Sequence, residues 1–262
     1  MPVYQPEHPL IVHFRVVGAL ILREMHTRFG EFRAGYLWAV VEPMVHVLSF
    51  AFIIAFFSHA SPLGSSLEVF VATAVVPFFF FRDMVTRIEA AARSNRALLY
   101  FPIVKVIDTV FARAILEIAT WILIAVLTLV VLGLIGFPAM PNDPLHCILA
   151  MLVIGWMGAG FGMVNAAISV FTGAWERIVH VLMRPLYLFS GVAFLPSNMP
   201  DTFRDIIWYL PTAHAIDWLR EGFFEGYHST FLSLEYILIL GTVWWVVGLF
   251  FERLLRSRME VE

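Results

Sequence analysis

The chain has 262 residues, 60% of them hydrophobic and 14% charged, with a mean hydropathy of +0.83 and a formal net charge of −3. A soluble globular domain is about half apolar and a quarter charged, so this composition excludes an ordinary soluble domain and points to a polytopic membrane protein. The near-neutral balance gives no sign of a nucleic-acid partner, and Cys147, as the sole cysteine, excludes an intramolecular disulfide and a cysteine-based metal cluster.

The opening "MPVYQPEHPL" has no basic stretch followed by an apolar core, so no cleavable signal peptide is expected. The next stretch, "LIVHFRVVGALILREMHTRF", is apolar but interrupted by Arg15 and Arg23. Its unbroken run, Val16–Leu22, has seven residues against the roughly 20 a spanning helix needs. Residues 1–35 therefore read as a cytoplasmic segment carrying an amphipathic interfacial helix; the bland alternative is a plain amphiphilic tail.

Six apolar runs follow: Tyr36–Phe57, Val69–Phe81, Ile115–Ile135, Leu145–Phe171, Val181–Leu195 and Leu232–Phe251. Four are long enough to span; Val69–Phe81, with thirteen residues, and Val181–Leu195, stopped by Pro196, are short. Charge decides about the short ones. Six spans with both termini in the cytoplasm put fifteen of the seventeen basic residues inside and two, Arg204 and Arg220, outside. Dropping either short run moves a basic cluster outside. The expected fold is thus an all-α membrane protein with six transmembrane helices over residues 36–254 and a cytoplasmic tail at 255–262. Gly158 and Gly162, a GxxxG pair, favour close helix packing.

Between the second and third runs lies "RIEAAARSNRALLYFPIVK", Arg87–Lys105, with four basic residues and the only lysine. Arg82–Leu99 suits one helix, with Arg82, Glu89, Arg93 and Arg96 along one side and Val85, Ile88, Ala92 and Leu99 along another. Glu89 and Arg93 are spaced as a helical pair, Ser94-Asn95 is a candidate break, and Pro102 ends the following turn. On residues alone a solvated basic loop that only sets topology explains this stretch as well.

Pro196–Phe231 is long and aromatic. Within it Ile216, Leu219 and Phe223 share one side of a helix, which suits a segment dipping into or lying on the outer leaflet. Trp208, Tyr209 and Trp218 fit a membrane-interface belt or a surface for stacking sugars, and His214 and Arg220 accompany them.

No GxxxxGK[ST], HExxH or supported GxSxG occurs, and the histidines are scattered, so neither an ATP site of its own nor a metal site is expected. Glu42 and Glu117 are the deepest acids. Arg113 lies one turn from Glu117, so that pair is expected, and no chain of ionisable groups crosses the spans as an ion-driven carrier needs.

Three stretches, taken in order with six spans, carry a resemblance: "RFGEFRAGYLWAVVEP" (Arg28–Pro43), the basic loop above, and "FLPSNMPDTFRDIIWYLPTAHAIDWLREGFFEGY" (Phe194–Tyr227). Together they resemble ABC-2 type transporter permeases, and in length and wording the KpsM-like membrane subunits of capsular polysaccharide exporters of Gram-negative bacteria. Leu210-Pro211 departs from the Asn-Pro often found there. The resemblance implies a permease without its own ATPase, with a coupling helix fitted to a separate ATP-binding subunit through Glu89, Arg93, Ser94, Asn95 and Arg96. It implies a homodimer with two ATP-binding cassette subunits that hold ATP and magnesium, in the bacterial inner membrane. The implied cargo is a lipid-linked acidic polysaccharide, with a periplasmic adaptor as a further partner.

Arg28 and Arg33 sit where phosphate or carboxylate groups of such a cargo would be bound, though attraction to anionic lipid headgroups explains them equally. Trp38 and Glu42 complete the expected substrate path, though Trp38 suits an interfacial anchor equally and Glu42 is close enough to the cytoplasmic face to reach water or an arginine of the interfacial helix. O-antigen and teichoic-acid exporter permeases are the near alternatives. An intramembrane lipid-modifying enzyme would need clustered acids and histidines, and a channel would need polar spans.

Overall fold

The computed structural model describes residues 9–29, 35–57 and 61–259. Among the described residues all regular structure is helical. In chain order the helices are α1 (Pro9–Phe29), α2 (Gly35–Phe57), α3 (Leu67–Glu89), α4 (Ala91–Ser94), α5 (Arg96–Leu99) and α6 (Val106–Ile135), then α7 (Pro144–Ser169), α8 (Trp175–Phe189), α9 (Asp201–Ile207), α10 (Pro211–Phe223) and α11 (Leu234–Met259). Among the described residues four stretches are long and apolar enough to cross a membrane: Leu67–Glu89, Val106–Ile135, Pro144–Ser169 and Leu234–Leu255. Val41–Phe56 of α2 is a shorter apolar stretch, and α8 has 15 residues.

Helix ends follow caps more closely than apolar runs. The thirteen-residue run Val69–Phe81 becomes a helix of 23 residues because its charged continuation, Arg82–Glu89, stays helical. Ser66 starts it by accepting the Val69 N–H. α6 begins well before Ile115, where Asp108 accepts the Lys105 N–H at 2.8 Å. The run expected at Val181–Leu195 is a helix over Trp175–Phe189 instead. Val179, Met183 and Tyr187 bury one face of it, and Gly191, at φ +84, turns the chain after it.

The core is built on α3. Phe70, Phe78, Phe80, Phe81, Met84 and Ile88 are all fully buried. α7 lies between α3 and α11, and its glycines set the distance. A methyl on Gly162 would stand 2.8 Å from the Val85 carbonyl oxygen, one on Gly158 3.0 Å from Met84, and one on Gly155 2.8 Å from Phe80. On the other side a methyl on Gly160 would stand 3.1 Å from the Gly241 carbonyl oxygen. The Gly158–Gly162 pair is thus part of a close helix contact, as expected. The partners rise together in number along both helices, so α3, α7 and α11 run parallel. α6 runs against them, with Trp121 near Phe80 and Arg113 bonded to the Arg87 carbonyl. The outer faces of α6 and α11 expose Leu123, Val126, Val130, Val243, Val246 and Phe250, as suits contact with lipid chains.

Candidate functional site

One end of the bundle holds the finish of α3 and α7 and the start of α6 and α8, and with them Arg82, Arg87, Arg93, Arg96, Lys105, Arg113 and Arg177. The segment between α3 and α6 is not one helix. It breaks at Ala90, forms α4, breaks again at Asn95 and forms α5. Asn95 is buried: its amide donates to the Ala91 carbonyl at 3.0 Å, and its oxygen accepts from Arg23 at 2.7 Å. Glu89 is also buried, at 2% exposure. Arg93 and Ser94 are exposed and Arg96 is half-buried. Arg93 pairs with Glu176 across the end at 3.0 Å, and neither carboxylate oxygen of Glu89 has a hydrogen-bond partner.

α1 is tied to this segment and to α6. Val17 and Leu20 pack on Ala112. His13 Nδ1–H donates to Asp108, and Glu24 pairs with Arg113 at 2.9 Å. Arg113 also donates to the Arg87 carbonyl at 2.8 Å, and Arg87 pairs with Glu117 at 3.6 Å. The expected Arg113–Glu117 pair is therefore replaced by two pairs between helices. Apolar packing, ion pairs and hydrogen bonds thus join α1, α3 and α6 at this end. No group of three or more His, Cys, Asp or Glu residues that could hold a metal ion occurs among the described residues.

Of the expected substrate path, Arg33 lies outside the described residues and Arg28 falls in the last turn of α1. Trp38, 67% exposed, and Glu42, also exposed, lie on α2. On the same helix the His46 ring nitrogen and the Tyr187 hydroxyl of α8 are 2.9 Å apart, which joins α2 to α8.

At the opposite end α10 inserts between α3, α7 and α11; Ile216, Leu219 and Phe223 are buried at the expected helical spacing, and His214, Asp217 and Arg220 on its other sides are buried as well. Arg220 is fully buried, stacked on Phe70 at 4.0 Å. It donates at 3.4 Å to the Thr73 hydroxyl and to the Phe194 carbonyl. Asp217 accepts from the Tyr227 hydroxyl at 2.8 Å and from the Ser229 hydroxyl. Burial and the Asp217 charge push the Tyr227 hydroxyl up to about 12, so it is held as a donor. His214 is buried and neutral. Its Nδ1 accepts the Ser233 N–H at 3.1 Å while its Nε2–H donates to the Trp208 carbonyl at 2.8 Å. Trp208 packs on Tyr236 at 4.9 Å, Trp218 meets His146 at 5.5 Å, and Tyr209 is 71% exposed. His214 and Arg220 thus fasten α10 in place, while Tyr209 and, to a lesser degree, Trp208 are left open.

One feature of the basic end escaped sequence reasoning. Tyr100, Phe101 and Ile103 are 75%, 59% and 58% exposed at the tip between α5 and α6. The signal was present as the apolar "YFPI" inside a basic loop, where the charges drew the reading.

The profile of the ABC-2 type transporter family matches residues 15–224. The chain is similar to the polysialic acid transport protein KpsM of Escherichia coli, 30% identical over 93% of both chains. It is similar to the capsule polysaccharide export inner-membrane protein CtrC of Neisseria meningitidis serogroup A, 31% identical over 92% of this chain and 91% of the relative. It is also similar to the capsule polysaccharide export inner-membrane protein BexB of Haemophilus influenzae, 28% identical over the same shares. With a family profile spanning most of the sequence and relatives matched nearly end to end, the chain belongs to the ABC-2 type transporter family, whose members are membrane subunits of transporters.

Proposed function

We propose that this chain is the permease half of an ATP-driven exporter that carries a lipid-linked acidic polysaccharide across the bacterial inner membrane. Two copies line the pathway, and two separate ATP-binding cassette subunits, with ATP and magnesium, drive it. The observation that carries this reading is the joint at the basic end. Residues 90–105 are bonded to α1 through Arg23 and Asn95, and α1 is bonded to α6 through Asp108 and Arg113. A push delivered to this segment by a neighbouring subunit reaches α1 and α6 without passing through a flexible loop. The names of the relatives support the cargo class.

Six spans with both termini in the cytoplasm fit the helix directions. α7 and α11 run parallel, so the chain between them has to return across the layer, and α8 is the helix available. At about 1.5 Å per residue its 15 residues reach roughly 22 Å, and Ser190–Leu195 extends them. α10 serves as the outer-leaflet segment, and a periplasmic adaptor would meet the loop around Tyr209.

The test is deletion and complementation. A strain lacking this chain is expected to retain lipid-linked glycan inside the cell and to lose it from the surface, and re-expression restores export. Unchanged surface glycan in the deletion strain sinks the reading.

A further inference from the structure

Glu89 closes α3 with 2% exposure, and neither of its carboxylate oxygens has a hydrogen-bond partner. A carboxylate removed from water with nothing to pair it is strongly unfavourable. The side chain lines a cavity of about 260 Å³ between the α3–α4 turn and the α7–α8 connection, together with Ala92, Arg93, Ser169, Phe171 and Gly173. That volume is many times the roughly 30 Å³ of one liquid water. Phe171 and Gly173 are exposed, so the cavity opens to the surface at the basic end. The neighbouring cation is engaged elsewhere, since Arg93 donates to Glu176 at 3.0 Å. Glu176 in turn adds a second carboxylate beside the cavity.

We propose that this cavity receives a lysine or arginine side chain of the ATP-binding subunit, whose cation pairs with Glu89. The inference rests on the reading of the basic end as the face that meets that subunit. The lining sets Ala92 and Phe171 beside one buried carboxylate, with the Arg93 guanidinium drawn off toward Glu176, so a long apolar stem with a charged tip fits the space once the Glu89 side chain turns toward it. The two walls are the chain reversals after α3 and after α7, so the inserted side chain clamps them together. A charge pair buried in a prepared site fixes the register between two subunits, and removing one partner weakens association because the other charge is left buried and unpaired.

The permease is co-expressed with the ATP-binding subunit of its own exporter and purified through a tag on the permease. Association is then compared among the wild type, Glu89→Gln and Glu89→Arg. Glu89→Gln is expected to weaken association at least tenfold while the permease alone melts no lower than the wild type, because an unpaired buried charge is gone. Glu89→Arg is expected to lose the subunit, and one Lys→Glu or Arg→Glu change on that subunit to restore it. Association of Glu89→Gln within twofold of the wild type overturns the proposal and assigns the cavity to water. A Glu89→Gln permease that melts lower and binds less overturns it in favour of a structural role, and weakening that no basic-to-acidic change restores overturns the cationic partner. If the wild type binds no ATP-binding subunit, the functional reading fails and the cavity proposal with it. If the wild type binds and only the Glu89 results disagree, the cavity proposal alone fails.

Discussion

Arg23 and Asn95 lie 72 residues apart in the chain, yet the guanidinium donates to the amide oxygen at 2.7 Å. The same amide donates to the Ala91 carbonyl, so one side chain joins α1 to the break between α4 and α5. Truncating either partner removes the polar link to α1, leaves the apolar contacts of Leu98 and Val104 with Val17 and Leu20, and does not touch the exposed surface of α4. Arg23→Ala and Asn95→Ala are each expected to lower the thermal stability of the purified permease, with a coupling of about 1 kcal/mol in a double-mutant cycle. Both are expected to keep the ATP-binding subunit bound and hydrolysing while glycan export falls. Additive stability losses with normal export would show that the bond transmits nothing.

The glycines of α7 give two opposed expectations. Gly162→Val places a methyl 2.8 Å from the Val85 carbonyl oxygen, and backbone cannot move aside as a side-chain tip can. The variant is expected to lose about 1–3 kcal/mol or more, read as a lower melting temperature or loss of monodisperse protein. Gly133 of α6 has nothing within 4 Å of the same added methyl. Gly133→Ala is therefore expected to raise stability by about 0.5–1 kcal/mol, since alanine restricts the unfolded helix-forming chain. Equal effects at the two sites would contradict the close contact of α7 with α3.

The exposed tip formed by Tyr100, Phe101 and Ile103 is an apolar patch on a polar connection, and such patches mark binding surfaces. Phe101→Ser with Ile103→Ser is expected to leave the melting temperature of the permease unchanged, because neither side chain is packed. The same pair is expected to lower the fraction of permease that retains its ATP-binding subunit through gel filtration. Full retention would leave the tip to lipid.

Much of this arrangement is legible in the residues and some is not, for identifiable reasons. α10 is readable because Ile216, Leu219 and Phe223 repeat at helical spacing and are buried together. The six apolar runs fall on α2, α3, α6, α7, α8 and α11, but their ends do not. Caps such as Ser66, and helical continuations such as Arg82–Glu89, set the ends, and these are local bonds that hydropathy ignores. Arg87, Arg93 and Arg113 form their charge pairs between helices. Counting along a single helix pairs Arg113 with Glu117 and Arg93 with Glu89, whereas Glu24 and Glu176 come from other helices. The sequence puts Glu89 on the polar side of a helix with Arg82, Arg93 and Arg96, and Asn95 at a candidate break. The structure buries both, Glu89 at the end of α3 and Asn95 through its bonds to Ala91 and Arg23. His214 and Arg220 carry the polar chemistry that suggests a binding surface, and both are fastened into the core.

His214 gives the last expectation, a dependence on pH. Burial is the largest influence on the ring and lowers its pKa below the ordinary 6.5, against smaller opposing effects of the Trp208 carbonyl and the Asp217 charge. The hydrogen bonds require the neutral form, because Nδ1 accepts from the Ser233 N–H. In the unfolded chain the ring titrates at about 6.5. Between the folded and the unfolded value the unfolded state binds more protons, so stability rises with pH across that window. The contribution is complete above about 6.5 and is lost as the pH falls below it toward the folded value. The melting temperature of the wild type is therefore expected to drop between pH 7 and pH 5 by more than that of His214→Gln, which has no titrating ring. Parallel melting curves for the two proteins across that range would show that the ring is not held neutral.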